Sequence, residues 1–477
     1  MVTEVIYTYG GYSITFLNVI LFFTWCLFIW ETFLNLRQIR VAKSTKTPPK
    51  EIVSLMDEAA FDKAGRYSVE KLRFDIVSGF YSISLLSVIL HFQVIGWVWR
   101  KAVDHLIRLD SFAFQHFNWS FGINKDSEIL ISLLFTVYFA VFQFFDSLPW
   151  SYYRNFVIEA RYGFNKQTLG FFIKDKVKSL LVGLVIGLPI IAALIWIIKA
   201  GGQYFYIYAY GFTFAVSMII MFIYPEFIAP IFDRYEHFPD CELRTKIEDL
   251  AAQIGFPLKK LFVVEGSKRS SHSNAYFYGF GKNKRIVLFD TLIRGFKMPN
   301  ASSSKTSDAV NESDDVAEDK GCDDDEEILA VLAHELGHWK MNHVTINLII
   351  AQFNIFFMFF VFGQLMNMDM MFIEFGFPPS TAPTVLRLIV IFQFLFMPYS
   401  TVLDFLTTML LRKFEFQADA FAVSIKPGEK LKNALLVLTK DNLSFPVYDW
   451  LYSLCNLSHP SIIERIKAID EAEKKKE

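Results

Sequence analysis

Seven stretches of this 477-residue chain are long and apolar enough to cross a lipid bilayer: residues 12–32, 77–98, 129–149, 179–198, 204–224, 345–367 and 384–407. A spanning helix needs about 20 mostly apolar residues. In hydrocarbon every backbone N–H and C=O must find its partner inside the protein, so such runs fold as helices. Composition agrees, with 53% of residues hydrophobic and 52 of them Phe, against roughly 45–50% apolar in a soluble domain. The expected fold class is therefore an α-helical polytopic membrane protein. The first run has no basic leader and no small-residue cleavage site, so it reads as an anchor and not a removable signal.

Basic residues orient the spans. Arg37, Arg40, Lys43, Lys46, Lys50, Lys63, Arg66, Lys71 and Arg73 follow the first run, and Arg154, Arg161, Lys166, Lys174, Lys176 and Lys178 separate the third from the fourth. Residues 1–11 and 368–383 hold no Lys or Arg. Cytoplasmic loops carry the cationic excess, which puts the N-terminus in the lumen and the C-terminus in the cytosol. Loop 99–128, expected to be lumenal, works against the contrast with Arg100, Lys101, Arg108 and Lys125. In that loop Asn118 opens the sequon "NWS" and is an expected glycosylation acceptor.

This topology divides the chain into residues 1–224 with five spans, a cytosolic piece 225–344, two further spans in 345–407, and a second cytosolic piece 408–477. Within the first piece, "DCELRTKIEDLAAQIGF" has helical apolar spacing and stops at Gly255. "KKLFVVEG", "NAYFYGFG" and "KRIVLFDTL" read as strands of a small β-sheet. Residues 297–327, rich in Ser, Asp and Glu, read as a disordered acidic loop. A net charge of −2 gives no footing for a nucleic-acid partner. Cys26, Cys241, Cys322 and Cys455 are scattered with no CxxC pair, which suggests neither a thiolate zinc site nor a disulfide framework.

The chemistry lies in "ILAVLAHELGHWKMNHV", residues 328–344. On a helix His338 lies about 40° round from His334, and Glu335 about 100° round. Both imidazoles can face one ion while the carboxylate reaches a water beside it, the arrangement that zinc proteases need. His343 lies about 140° round from His338 and is expected at the surface or an interface. A third ligand must come from elsewhere. In "LLRKFEFQADAFA", Glu415 and Asp419 are four apart and share a helical face. A carboxylate from a second helix would complete a thermolysin-like set, and a second acid one turn on would hold the far N–H of a ligand histidine. Taken alone, an amphipathic helix with exposed acids explains that pair as well.

Longer blocks carry a resemblance: "FVIEARYGFNKQTLGFF", "VVEGSKRSSHSNAYFYGF", "HELGHWK", "RKFEFQADAFA", "FPVYDWLYS" and "SHPSIIERI". Through them the chain resembles the type I CAAX prenyl endopeptidases, integral-membrane zinc proteases that process farnesylated proteins. The first ten residues, the acidic loop and the tail show no family pattern. The resemblance implies seven spanning helices around a chamber, with a thermolysin-like zinc domain on the cytosolic side. It implies one Zn2+ held by His334, His338 and Glu415, with Glu335 as general base. Asp419 would orient a ligand or handle protons, and His459, with Arg465, would stabilise the tetrahedral oxyanion. Asn274, Ala275 and Tyr276 would hold the substrate backbone by β-addition.

The expected function is removal of the C-terminal tripeptide of farnesylated CAAX proteins, with a second upstream cut in a prenylated precursor. The expected partners are a prenylated protein or peptide and the lipid bilayer. Two alternatives stand beside it: a quality-control zinc protease clearing stalled translocating chains, and a non-enzymatic scaffold or carrier with structural zinc. A structural site is normally closed by four protein ligands, whereas three are evident here beside Glu335, which favours catalysis. Lys474 and Lys475 near the C-terminus match a dilysine retrieval signal. With the resemblance, they imply the endoplasmic reticulum membrane and extend to the inner nuclear membrane.

Overall fold

The computed structural model describes residues 7–9, 12–53, 56–270, 272, 274–279, 281–296 and 320–476. Six helical segments are long and apolar enough to span a bilayer: Phe16–Ser44, Glu58–His91, Glu128–Glu159, Leu169–Ala200, Gly202–Phe232 and His343–Leu365. Thr384–Leu395 and Met397–Ile425 pass together as a seventh, bent by 56° between them. Each of the seven expected runs overlaps one of these segments, the last only if the bent pair is one span, and the protein is a multi-pass membrane protein. The long helices are α1 (Phe16–Ser44), α2 (Glu58–His91), α3 (Val94–Phe117), α4 (Glu128–Tyr152), α5 (Leu169–Ala200) and α6 (Phe205–Ile223).

Two span readings need correction. The run 77–98 is not one helix: α2 ends at His91, Gln93 adopts a left-handed backbone with φ 51, and α3 begins at Val94. Most of the expected loop 99–128 is therefore helix. Hydropathy cannot separate two helices when both flanks of the break are apolar. The seventh span is bent because Pro398, in the first turn after Phe396, has no N–H to continue the ladder.

Burial along the spans gathers at their ends. α5 buries Phe172 near one end and Ile195 and Ile198 near the other, with nothing between. α4 buries Ile131, Ser132 and Phe135 alone, and α6 only Phe205 and Ala209. One apolar cluster, including Ile20, Leu90, Ile131, Phe205 and Phe362, ties the span ends remote from the zinc motif.

At the other end, the extramembrane pieces form a single core. Helix α7 (Glu242–Ile254) ends at Gly255, whose φ of 79 supplies the expected left-handed stop. The sheet comprises β1 (Tyr235–His237), β2 (Leu258–Val264), β3 (Ala275–Tyr278) and β4 (Lys284–Phe289), in the order β1-β2-β4-β3. β2 and β4 are parallel and the other pairs antiparallel. Three strands were legible from the sequence; β1 is an addition, too short to carry a pattern.

Besides short turns of helix at Ala229–Phe232 and Met370–Ile373, the remaining α-helices are α8 (Asp325–Lys340), α9 (His343–Leu365), α10 (Thr384–Ile389), α11 (Met397–Ile425), α12 (Gly428–Asp441), α13 (Trp450–Asn456) and α14 (Ile462–Lys476). Leu250, Val263, Leu288, Leu332, Val423, Leu431 and Ile469 share one apolar cluster, so residues before the sixth span and after the seventh pack as one unit. The expected acidic loop 297–327 is too long at its end. Residues 297–319 lie outside the described residues, whereas Cys322 bridges Ile293 and α8 starts at Asp325. The Asp324 side chain accepts from the Glu326 N–H, and the first-turn carboxylates suit the positive pole of the helix.

Candidate metal centre

Helix α8 carries His334 and His338 on one face, and α11 brings Glu415 to meet them. Gly337 permits the approach. A Cβ there would sit 3.0 Å from the Phe421 ring and 3.3 Å from Ala418 Cα, so a larger residue would press the helices apart. One ligand atom each from His334, His338 and Glu415 lie within 4.8 Å of one another. His334 Nε2 is 3.5 Å and His338 Nε2 3.3 Å from the Glu415 carboxylate, and the two Nε2 atoms are 3.2 Å apart. Three acceptor-capable atoms converging this closely have little to offer one another. Glu415 Oε2 is also buried, with only ring and guanidinium nitrogens facing it: His459 Nδ1 at 2.9 Å, His334 Nε2 at 3.5 Å and Arg465 Nη1 at 3.5 Å. Two imidazoles and a carboxylate suit one zinc ion with an open fourth position.

The surroundings fix each group. His334 Nδ1 lies 2.9 Å from Asp419 Oδ1, which leaves Nε2 free for a metal. Asp419 is 1% exposed and accepts from Arg465 Nε and Nη2 at 2.9 and 2.6 Å. Burial works against the Arg465 charge, but Asp419 and Glu415 more than offset it and hold its pKa above the ordinary value. Glu335 is half-buried, and desolvation pushes its carboxyl up from the usual range, with Glu415 adding to the rise.

His459 sits on the mouth of the site. Its Nδ1 is 2.9 Å from Glu415 Oε2, and its side chain is 70% exposed. Asn274, Ala275 and Tyr276 lie on or beside β3, the outer strand of its sheet next to β4. Tyr276 and Phe277 line a cavity of about 200 Å3 together with Glu335, His338 and Glu415. All the expected site residues thus gather at one end of the bundle. Arg465 is buried behind the ligands: Asp419 accepts from its Nε and Nη2, and its Nη1 lies 3.5 Å from Glu415 Oε2.

His343 is not at the surface. It is 3% exposed, stacks on Phe414 at 4.0 Å and approaches His338 Nδ1 to 3.0 Å. The helix does break, because Asn342 takes a left-handed backbone with φ 60 and starts α9 in a new direction. Asn tolerates that conformation, and its place after the motif was the available signal. Gln417, which meets His343, carried none.

Comparison with known proteins agrees with this geometry. Residues 38–234 match the family described as CAAX prenyl protease N-terminal, five membrane helices, and residues 238–473 match peptidase family M48. The chain is 71% identical over 460 residues to a CAAX prenyl protease 1 homolog of Taenia solium, covering 96% of each. The chain belongs to peptidase family M48. As an M48 member it is a zinc metalloprotease. It is 46% identical over 464 residues to a mouse (Mus musculus) CAAX prenyl protease 1 homolog, covering 95% of each. The crystal structure of S. mikatae Ste24p superposes with a TM-score of 0.79 at 32% identity, covering 96% of this chain and 99% of that one.

Proposed function

We propose that this M48 protease removes the C-terminal tripeptide from farnesylated CAAX proteins, acting at the cytosolic face of the endoplasmic reticulum and inner nuclear membranes. One observation carries the reading: His338 and Glu415 of the ligand cluster, with Glu335, share a cavity with Tyr276 and Phe277 of the outer strand and with Val344 and Asn347 at the start of a spanning helix. A peptide laid along β3 would have its reacting bond beside the metal ligands and any attached lipid beside the bilayer. The names of the relatives support the substrate class. A second, upstream cut in a longer prenylated precursor would use the same cleft.

His334, His338 and Glu415 would hold the ion. Zinc, when bound, supplies Lewis-acid polarisation of the scissile carbonyl and makes water a nucleophile near neutral pH. Glu335 takes the proton from the attacking water and returns it to the leaving nitrogen. His459 donates to the developing oxyanion, and its exposure leaves it free to turn from Glu415 toward substrate. Arg465 acts through Asp419, holding that carboxylate where it orients His334. The β3 edge takes the substrate backbone in a strand register.

The deciding experiment assays the purified protein on farnesylated and non-prenylated peptides of one sequence, with and without a zinc chelator. Chelator-sensitive cleavage that prefers the farnesylated peptide supports the proposal. Equal cleavage of both peptides would favour the quality-control protease, and no cleavage with zinc bound would favour the scaffold.

A further inference from the structure

We infer that His343 is a positioning residue for the zinc site, holding the ligand His338 through a relay that ends at Gln417. The inference rests on the assignment of His338 as a zinc ligand. His338 turns Nε2 toward His334 and Glu415. Its other ring nitrogen, Nδ1, lies 3.0 Å from Nδ1 of His343. On the far side of that second ring, His343 Nε2 lies 3.1 Å from Gln417 Oε1.

Hydrogen-bond valence orders the protons. A neutral imidazole that offers Nε2 to a metal carries its hydrogen on Nδ1, so His338 must donate from there. His343 Nδ1 must then accept, which places the His343 hydrogen on Nε2, facing the Gln417 carbonyl oxygen. Each group has a partner of the right polarity. The same geometry bars His343 from the ion, since its nearest nitrogen faces the back of the His338 ring.

The arrangement pairs with the one at His334. Asp419 reaches the far nitrogen of His334 directly, and Gln417 reaches that of His338 through one intervening ring. Helix α11 thus supplies a ligand in Glu415 and the outer partner of both histidines. His343 is fixed for this task by burial and by its parallel stack on Phe414, with ring planes 8° apart. The turn at Asn342 brings it back beside α8, where a continuous helix would have carried it away. Partners of ligand histidines set ring orientation and basicity, and losing one typically lowers metal affinity about 10–100-fold.

The test measures zinc affinity by chelator competition and apo-protein melting for full-length His343→Phe, His343→Asn, Gln417→Met and His338→Ala. Phe keeps the stack on Phe414 but offers no acceptor; Asn restores an oxygen near the Nδ1 position. We expect His343→Phe to lose about 10–100-fold in zinc affinity with apo melting unchanged, His343→Asn to recover most of it, and Gln417→Met to lose less. Unchanged affinity in His343→Phe overturns the inference. So does an affinity loss matched by an equal loss of apo stability, because that is a packing role. His338→Ala separates the two readings: full zinc retention there sinks the ligand assignment itself, whereas zinc loss there with none in His343→Phe sinks only the relay.

Discussion

Asp419 holds His334 from behind: its Oδ1 is 2.9 Å from the imidazole Nδ1, while Nε2 on the opposite side of the ring faces Glu415 at 3.5 Å. The carboxylate sets which nitrogen carries the hydrogen and so which one is free to bind metal. It is also the main counter-ion of buried Arg465. Asp419→Ala should therefore do two things at once. Zinc affinity should fall about 10–100-fold, and the fold should lose about 3–5 kcal/mol from the uncompensated guanidinium. Asp419→Asn with Arg465→Met should recover part of the stability and none of the affinity, as thermal melts and chelator competition will read.

Glu335→Gln keeps the ligand set and removes the base. Zinc content should stay at one ion per chain while kcat falls by about 10²–10⁴-fold. Alanine at His334, His338 or Glu415 should instead lower zinc content. Full stoichiometry in all three ligand variants, measured by elemental analysis, would refute the site.

The close crossing at Gly337 gives a prediction about geometry. Gly337→Val puts bulk against the Phe421 ring and the Ala418 backbone and moves Glu415 away from the histidines. Zinc affinity should drop while the substrate peptide still binds the metal-free protein. A Gly337→Val protein with native zinc affinity would mean the helices have slack.

Binding along β3 makes a prediction about the substrate. Phe289 donates to the Asn274 carbonyl, so with Ala275 opposite Leu288 the antiparallel alternation turns the backbone of Ala275 and Phe277 toward the open edge. N-methylation of a substrate amide facing that edge should raise KM about tenfold per bond lost, with kcat little changed. A KM indifferent to every N-methyl position would exclude β-addition.

Orientation is tested by sugar. Asn118 is exposed at the end of α3 and should accept a glycan in the lumen. The sequons at Asn300, Asn311, Asn442 and Asn456 should stay bare in the cytosol. A glycan on any of those four, seen as a glycosidase-sensitive mass shift, would reverse the topology.

Local pattern alone determined the seven apolar runs, the helix of HELGH, the stop at Gly255 and three of the four strands in the sheet beside it. Each depends on a periodicity or a stop residue within one segment. The spacing of His334, Glu335 and His338 likewise needs only the turn of one helix. Tertiary structure decided the rest. Glu415 and Asp419 look like exposed acids on an amphipathic helix until α11 crosses α8 at Gly337 and buries them. Arg465 gave no sign that it would be spent on Asp419. Helical arithmetic left His343 between surface and interface, and the break at Asn342 buries it against His338 and Phe414. The breaks at Gln93 and Phe396 escaped hydropathy because their flanks are equally apolar. In each case the deciding energy is a contact between segments far apart in sequence, such as a buried charge finding its counter-ion or an imidazole its acceptor. No window of sequence contains both partners.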